Sequence, residues 1–328
     1  MGYSGTVSQT TFTTDKLLAS AVRRCRVPAA QISAESWDIA QNELYLFLSS
    51  LANQGVPLWC ITKVIMPLYE GVGDVTMPLG VVDVLNQNFR TLQQVTGTDT
   101  DTPTVHTTQF TSSTFVSTVG VLWTATAVPV ALQRSDDGVT WTTIQTETPS
   151  AGAGEWTWFD LQSSVAALYF RVVAMTGTLG FSQIYLGNNP SEIPLARMNR
   201  DDFLNLTNKT FQSSQPLQFW FDRQVKYPVM HMWPVPNAAA SVCQLTIWVH
   251  RHIMDVGSLT QAIEVPQRWY DAIVAGLAAR LARELIEVDV KNIPLLDGDA
   301  ASALAIAQAE ERDNSPTYWA PNISMYTS

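Results

Sequence analysis

The sequence predicts an α+β protein: a helical bundle with a small antiparallel sheet, interrupted by an all-β sandwich. Apolar residues recur at helical spacing towards both ends of the chain, and short alternating runs fill its middle. The composition changes where one pattern gives way to the other. From Gly97 to Pro190, 27 of 94 residues are Ser or Thr, Lys is absent, and Arg134 and Arg171 are the only bases, so this segment reads as an inserted domain.

The elements follow in order. Thr14–Arg26 is a helix with Leu17, Leu18 and Val22 as its apolar stripe, stopped by Pro28. A second helix begins after Ser33, its N-cap, and carries Trp37, Ala40, Leu44, Leu48 and Leu51 on one face until Gly55 and Pro57. Trp59–Tyr69 is a strand by its β-branched and aromatic content, and short strands follow near Val75–Met77 and Val81–Leu85. In the middle segment, strands are expected at Phe110–Phe115, Val119–Ala127, Val130–Arg134, Val139–Gln145, Trp156–Leu161, Leu168–Ala174 and Phe181–Leu186. Asp136-Asp137-Gly138 is a hairpin turn rather than a calcium loop, because the Asp-x-Asp-x-Asp-Gly order is missing.

After Pro190 the earlier style returns, with strands at Ile193–Met198 and Gln218–Phe221 and a helical turn at Asp201–Leu206. A strand from Val229 is closed by Pro234 and Pro236, and Gln244–Arg251 is its hairpin return. Pro266 opens a long helix presenting Tyr270, Ile273, Leu277, Leu281 and Leu285, with Gly276, Ala278 and Ala279 admitting a close neighbour. An Ala-rich helix follows from Asp299. The division expected is therefore 1–96 and 191–314 as one core, 97–190 as the insertion and 315–328 as an extended tail.

The net charge of −10 argues against a general clamp on nucleic-acid phosphates. Cys25, Cys60 and Cys243 form no Cys-x-x-Cys pair and read as buried free thiols made in a reducing cytoplasm. The N-terminus has no secretory signature, and its loose myristoylation pattern at Gly2 lacks a polybasic partner. No apolar run is long enough to span a bilayer, so no membrane partner is expected.

Candidate sites are few. His250 and His252 share a strand face near Asp255, but without a third ligand a structural role is preferred to a metal. No nucleophile elbow, phosphate loop or zinc-helix motif occurs, so neither catalysis nor a cofactor is expected. Arg23, Arg24 and Arg26 cluster where the first helix ends, either solvated or contacting an acidic partner subunit. The tail residues Tyr318, Trp319, Ile323 and Tyr326 sit among prolines without helical period. They either bind a partner or pack back on their own domain. Trp123, Trp141, Trp156 and Trp158 are possible stacking platforms for a glycan.

Two blocks, Thr14–Arg90 and Glu192–Glu284, carry an ordered set of motifs. The first has the paired helices, then Trp59-Cys-Ile-Thr-Lys-Val, Leu68-Tyr-Glu-Gly-Val-Gly-Asp-Val and Val81–Leu85. The second has Arg200-Asp-Asp-Phe, Met232-Trp-Pro-Val-Pro and Val265-Pro-Gln-Arg-Trp-Tyr-Asp-Ala-Ile. This set resembles the head-to-tail adaptor (head-completion, packaged-DNA-stabilising) proteins of short-tailed bacteriophages. The resemblance implies a virion neck protein made in the bacterial host cytoplasm, a ring of about twelve copies with the portal above and a tail nozzle or tail-tube protein below. Double-stranded DNA would pass its lumen without specific binding, and no active site is implied. The insertion departs from that pattern. Leu132-Gln-Arg-Ser-Asp-Asp-Gly-Val-Thr-Trp-Thr-Thr-Ile144 with Leu168-Tyr-Phe-Arg-Val-Val173 resembles a discoidin-type, galactose-binding-like jelly roll. That resemblance implies decoration of the virion or, alternatively, glycan binding.

Overall fold

The computed structural model describes residues 12–28, 32–52, 58–253 and 258–311. The chain divides into two compact units: the residues up to Ile61 with those from Arg251 onward, and Thr62–His250. Five α-helices are described: α1 (Thr14–Arg24), α2 (Ala34–Ala52), α3 (Arg200–Leu204), α4 (Tyr270–Glu284) and α5 (Ile293–Glu310).

The first unit is helical. Helix α4 packs against α1, α2 and α5 around a core that includes Leu17, Leu18, Leu44, Phe47, Ile273, Leu277 and Leu281. The apolar spacing read from the sequence is the spacing that is buried. Gly276 lets α2 come close, because a Cβ there would run into the Phe47 ring. The long helix starts through a 3-10 turn at Gln267–Trp269 after Pro266, whose missing N–H costs nothing at a helix start.

Fifteen strands are described. The first nine are β1 (Ile61–Pro67), β2 (Asp74–Thr76), β3 (Val81–Gln94), β4 (Thr98–Asp101), β5 (Val105–Trp123), β6 (Val130–Ser135), β7 (Thr142–Glu147), β8 (Trp156–Ala174) and β9 (Phe181–Pro194). The rest are β10 (Ala196–Arg197), β11 (Gln212–Ser213), β12 (Gln218–Asp222), β13 (Val229–Trp233), β14 (Val235–Pro236) and β15 (Gln244–Arg251). A nine-stranded sheet runs β1-β15-β3-β9-β5-β8-β6-β7, with β4 on β5.

Strands β5 and β8 are 19 residues each, where four separate strands are expected from the sequence. The polar links Thr111-Ser112-Ser113 and Gln162-Ser163-Ser164 hold no Gly or Pro, so the chain bends through irregular pairing instead of turning. Both strands fold across themselves. His106 and Val119 of β5 and Leu161 and Phe170 of β8 line one small interior void. The result is an antiparallel β-sandwich with Phe110, Val116, Val121, Trp123, Phe159 and Val172 in its core.

The expected hairpin of β13 with β15 does not form. Strand β13 pairs with β12 and β2 in a second sheet, β10-β12-β13-β2, while β15 lies in the large one. The apolar alternations decide this: Met230 and Met232 face Leu245, Ile247 and Val249 across a shared core, which needs sheets stacked face to face. The second sheet is also not wholly antiparallel, since β10 runs parallel to β12. Residue 190, expected as a boundary, lies within β9, which pairs with β3 along Asn88–Gln94.

Candidate functional site

Chemistry-bearing residues gather in two places in the second unit. One is a charged knot. Arg90, 4 % exposed, donates through Nε and Nη2 to Glu192 (2.9 and 2.7 Å) and through Nη1 to Asp160 (3.1 Å). Lys63 reaches the other oxygen of Asp160 at 2.6 Å, and Asn88 donates to Glu192 at 2.8 Å. These residues come from β1, β3, β8 and β9, so the knot ties strands expected in two domains into one. Burial raises the Glu192 pKa, but the bonds from Asn88 and Arg90 outweigh it and hold the carboxylate below its ordinary range. Every charge in the knot is matched by an opposite one, which suits a clamp better than a reacting group.

The other place is the outer face of the sandwich. The Arg171 guanidinium lies 3.9 Å from the centroid of the Trp141 ring, and its Nε donates to Gln133 Oε1 at 2.7 Å. Tyr169 meets the Trp141 edge and takes a hydrogen bond from Gln109 at 3.0 Å. Strand alternation puts them together: Tyr169 and Arg171 are two apart on β8, and they lie opposite Gln109 and Thr107 of β5 and Ser135 and Gln133 of β6. Arg171 makes no ion pair among the described residues. Beside this face, Arg134, Ser135, Asp136, Asp137, Thr140 and Thr142 line an open polar groove of about 410 Å³. The interior void, about 10 Å³, has room for no more than one water.

The four tryptophans proposed as platforms have different fates. Trp123 is 1 % exposed, with Nε1 donating to the Thr157 hydroxyl, so neither face is open to a sugar. Trp156 and Trp158 stack on each other at 4.9 Å, and Trp158 lies over Gly120, where any side chain would collide with it. Packing occupies both of these. Trp141 keeps partial exposure and stands among polar neighbours. Gln133, Tyr169 and Arg171 stand within the motifs that resemble a jelly roll, but neither they nor Gln109 were expected as site residues, although the spacing of Tyr169 and Arg171 on an alternating run is a readable signal.

Of the arginine cluster, Arg24 pairs with Asp271, while Arg23 and Arg26 are exposed. Tyr318, Trp319, Ile323, Tyr326 and Asp255 lie outside the described residues. His250 is buried and His252 exposed, and no cluster of three metal-ligating side chains occurs among the described residues. The turn at Asp137 is built as expected. Its carboxylate accepts from the N–H groups of Val139 and Thr140 and from the Ser135 hydroxyl, with Gly138 at φ +72°.

No family profile and no curated protein matches the chain. Solved structures do. The module CpGH89CBM32-5 from Clostridium perfringens, in complex with GalNAc-β-1,3-galactose, is similar at 12 % identity, over 40 % of this chain and 99 % of that one, with a TM-score of 0.24. Chitosan-binding module 1 of a chitosanase/glucanase from Paenibacillus sp. IK-5 is similar at 22 % identity, over 27 % of this chain and 72 % of that one, with a TM-score of 0.23. Scores of this size assign no ligand to this chain. Neither of these two structures is a phage adaptor.

Proposed function

We propose that this chain is a structural subunit of a short-tailed phage virion, one copy of a closed ring that joins the portal to the tail and helps retain packaged DNA. The observation that carries the subunit reading is apolar surface left uncovered. In the helical unit Ile286 is 98 % exposed, Val290 73 % and Ile306 66 %, and Tyr45, Leu46 and Leu295 are exposed as well. A lone chain gains nothing from presenting such groups to water, whereas assembly with neighbours covers them. The finer assignment draws on the ordered motif set. Its members are spent on architecture: Met232 lies in a core, and Trp269 is buried with Nε1 bonded to Glu311 at 3.1 Å. The net charge of −10 suits a lumen along which DNA slides without sticking. The test is the mass of the purified chain by native mass spectrometry, alone and mixed with a cognate portal ring. A closed ring on the portal is expected, and a monomer indifferent to the portal overturns the reading.

A second reading, carbohydrate binding by the sandwich, is favoured by the outer face with Trp141, Tyr169 and Arg171. Glycan-array binding abolished by Trp141→Ala supports this reading, and an array that stays blank with the unaltered chain removes it.

A further inference from the structure

We infer that the outward face of α5 is the seat of a second copy of this chain, through the outward face of that copy's α1. The inference rests on the ring reading and says which surfaces build the ring. Helix α5 is apolar almost all round: Leu296 and Ala307 point into the core, while Leu295, Ala305, Ile306 and Ala309 point away from it. Among the described residues α5 packs on one side, mainly against α4, although its outward side carries apolar groups as well. The outward stripe carries two acids, Asp299 and Glu310, and no base. Neither acid has an ion pair among the described residues. They stand eleven positions apart, about 16 Å along the helix.

The matching surface is on α1. Arg23, in the last turn of α1, and Arg26, just past its end at φ +63°, are exposed and without ion pairs among the described residues, although Arg24 between them is paired with Asp271. Lys16 lies on the same outward stripe, and the half-buried Ala19 and Ser20 between them let a second helix come near. The α5 face is therefore apolar with acids at its edge, and the α1 face is small, with the bases Lys16 and Arg23 outnumbering its one acid, Asp15. Both helices pack on α4, with no comparable contact joining α1 to α5, so the two stripes belong to different surfaces of the unit. Two different surfaces that complement each other make a head-to-tail contact, the kind that closes into rings.

The test uses the full chain in four forms: unaltered, Arg23→Glu with Arg26→Glu, Asp299→Lys with Glu310→Lys, and all four together. Native mass spectra are taken over a concentration series at low salt, with melting curves to show that each form folds. The unaltered chain is expected to self-associate. Each pair of reversals is expected to weaken this on the order of tenfold or more, because like charges then face each other, and the fourfold form is expected to recover it. Self-association that none of the reversals alters overturns the assignment of faces and leaves the ring standing. A chain that stays monomeric at every concentration overturns the assignment of faces, the ring itself falling only if the chain also ignores the portal, and α5 binding a portal protein in place of a second copy overturns the choice of occupant.

Discussion

Single residues set the closest tolerances. Gly276→Ala puts a methyl group into the Phe47 ring, itself only 7 % exposed, so the helices must part or the ring must leave its rotamer. A loss of about 1–3 kcal/mol is expected, read from urea unfolding of the variant against the parent. Asp137 makes a different prediction. The N–H groups of Thr140 and Val139, then the Ser135 hydroxyl, hold its carboxylate well below the ordinary range. A depressed folded-state pKa stabilises fully above about pH 4 and loses that contribution as pH falls through the folded value. Asp137→Ala is therefore expected to melt lower than the parent at neutral pH, with the gap closing as the solution is acidified. A gap independent of pH removes the electrostatic account. Gly276 was legible in the sequence as a close-approach residue, because small residues stood on an apolar helical stripe. Its partner Phe47 was not, because nothing local says which ring it meets.

At the scale of elements, local pattern and long-range pairing part company. The first, second and fourth helices sit where their periodicity puts them, since that period is set within each segment. Helix α5 instead starts at Ile293, six residues before the expected Asp299, because Pro294 opens the helix instead of breaking the chain ahead of it. Strands β5 and β8 run through links that read as interruptions, and β13 and β15 enter different sheets although they look like a hairpin. Strand β13 pairs locally with β12, but its other neighbour β2, and the partners of β15, lie far away in sequence. Arg90 shows the consequence. It stands in β3 as that strand's one base, with nothing local to show its partners, yet it binds carboxylates from β8 and β9. Arg90→Met leaves Asp160 and Glu192 facing each other without their common cation. The cost expected is about 2 kcal/mol, below the 3–5 kcal/mol of fully buried pairs because both acids keep some exposure. Arg90→Lys recovers only part of it, because an ammonium cannot bridge both acids as the fork does. The Glu192 pKa should rise in the methionine variant, moving its acid unfolding to higher pH; unchanged acid unfolding speaks against the knot.

For the whole molecule, the three cysteines report on both units. Cys25 and Cys60 lie in the helical unit and Cys243 in the other, all buried and free. Burial pushes each thiol up to about 11, so almost no thiolate exists at pH 8. A small alkylating reagent is expected to leave the native chain unlabelled and to modify all three after unfolding. If the units open separately, Cys243 is labelled in a different phase from Cys25 and Cys60. Rapid labelling of the native chain contradicts the burial.

The sequence by itself determined the α+β class, the strand-rich middle, the helix faces and the turn at Asp137, because each depends on residues near one another in the chain. Only the tertiary structure decided that strands from both sides of the expected boundary share one sheet. The same holds for the burial of Trp123 while Trp141 stays open, and for the exposed outer side of α5. Those outcomes turn on which distant surfaces meet, and burial depends on the whole set of neighbours rather than on the segment that carries the residue.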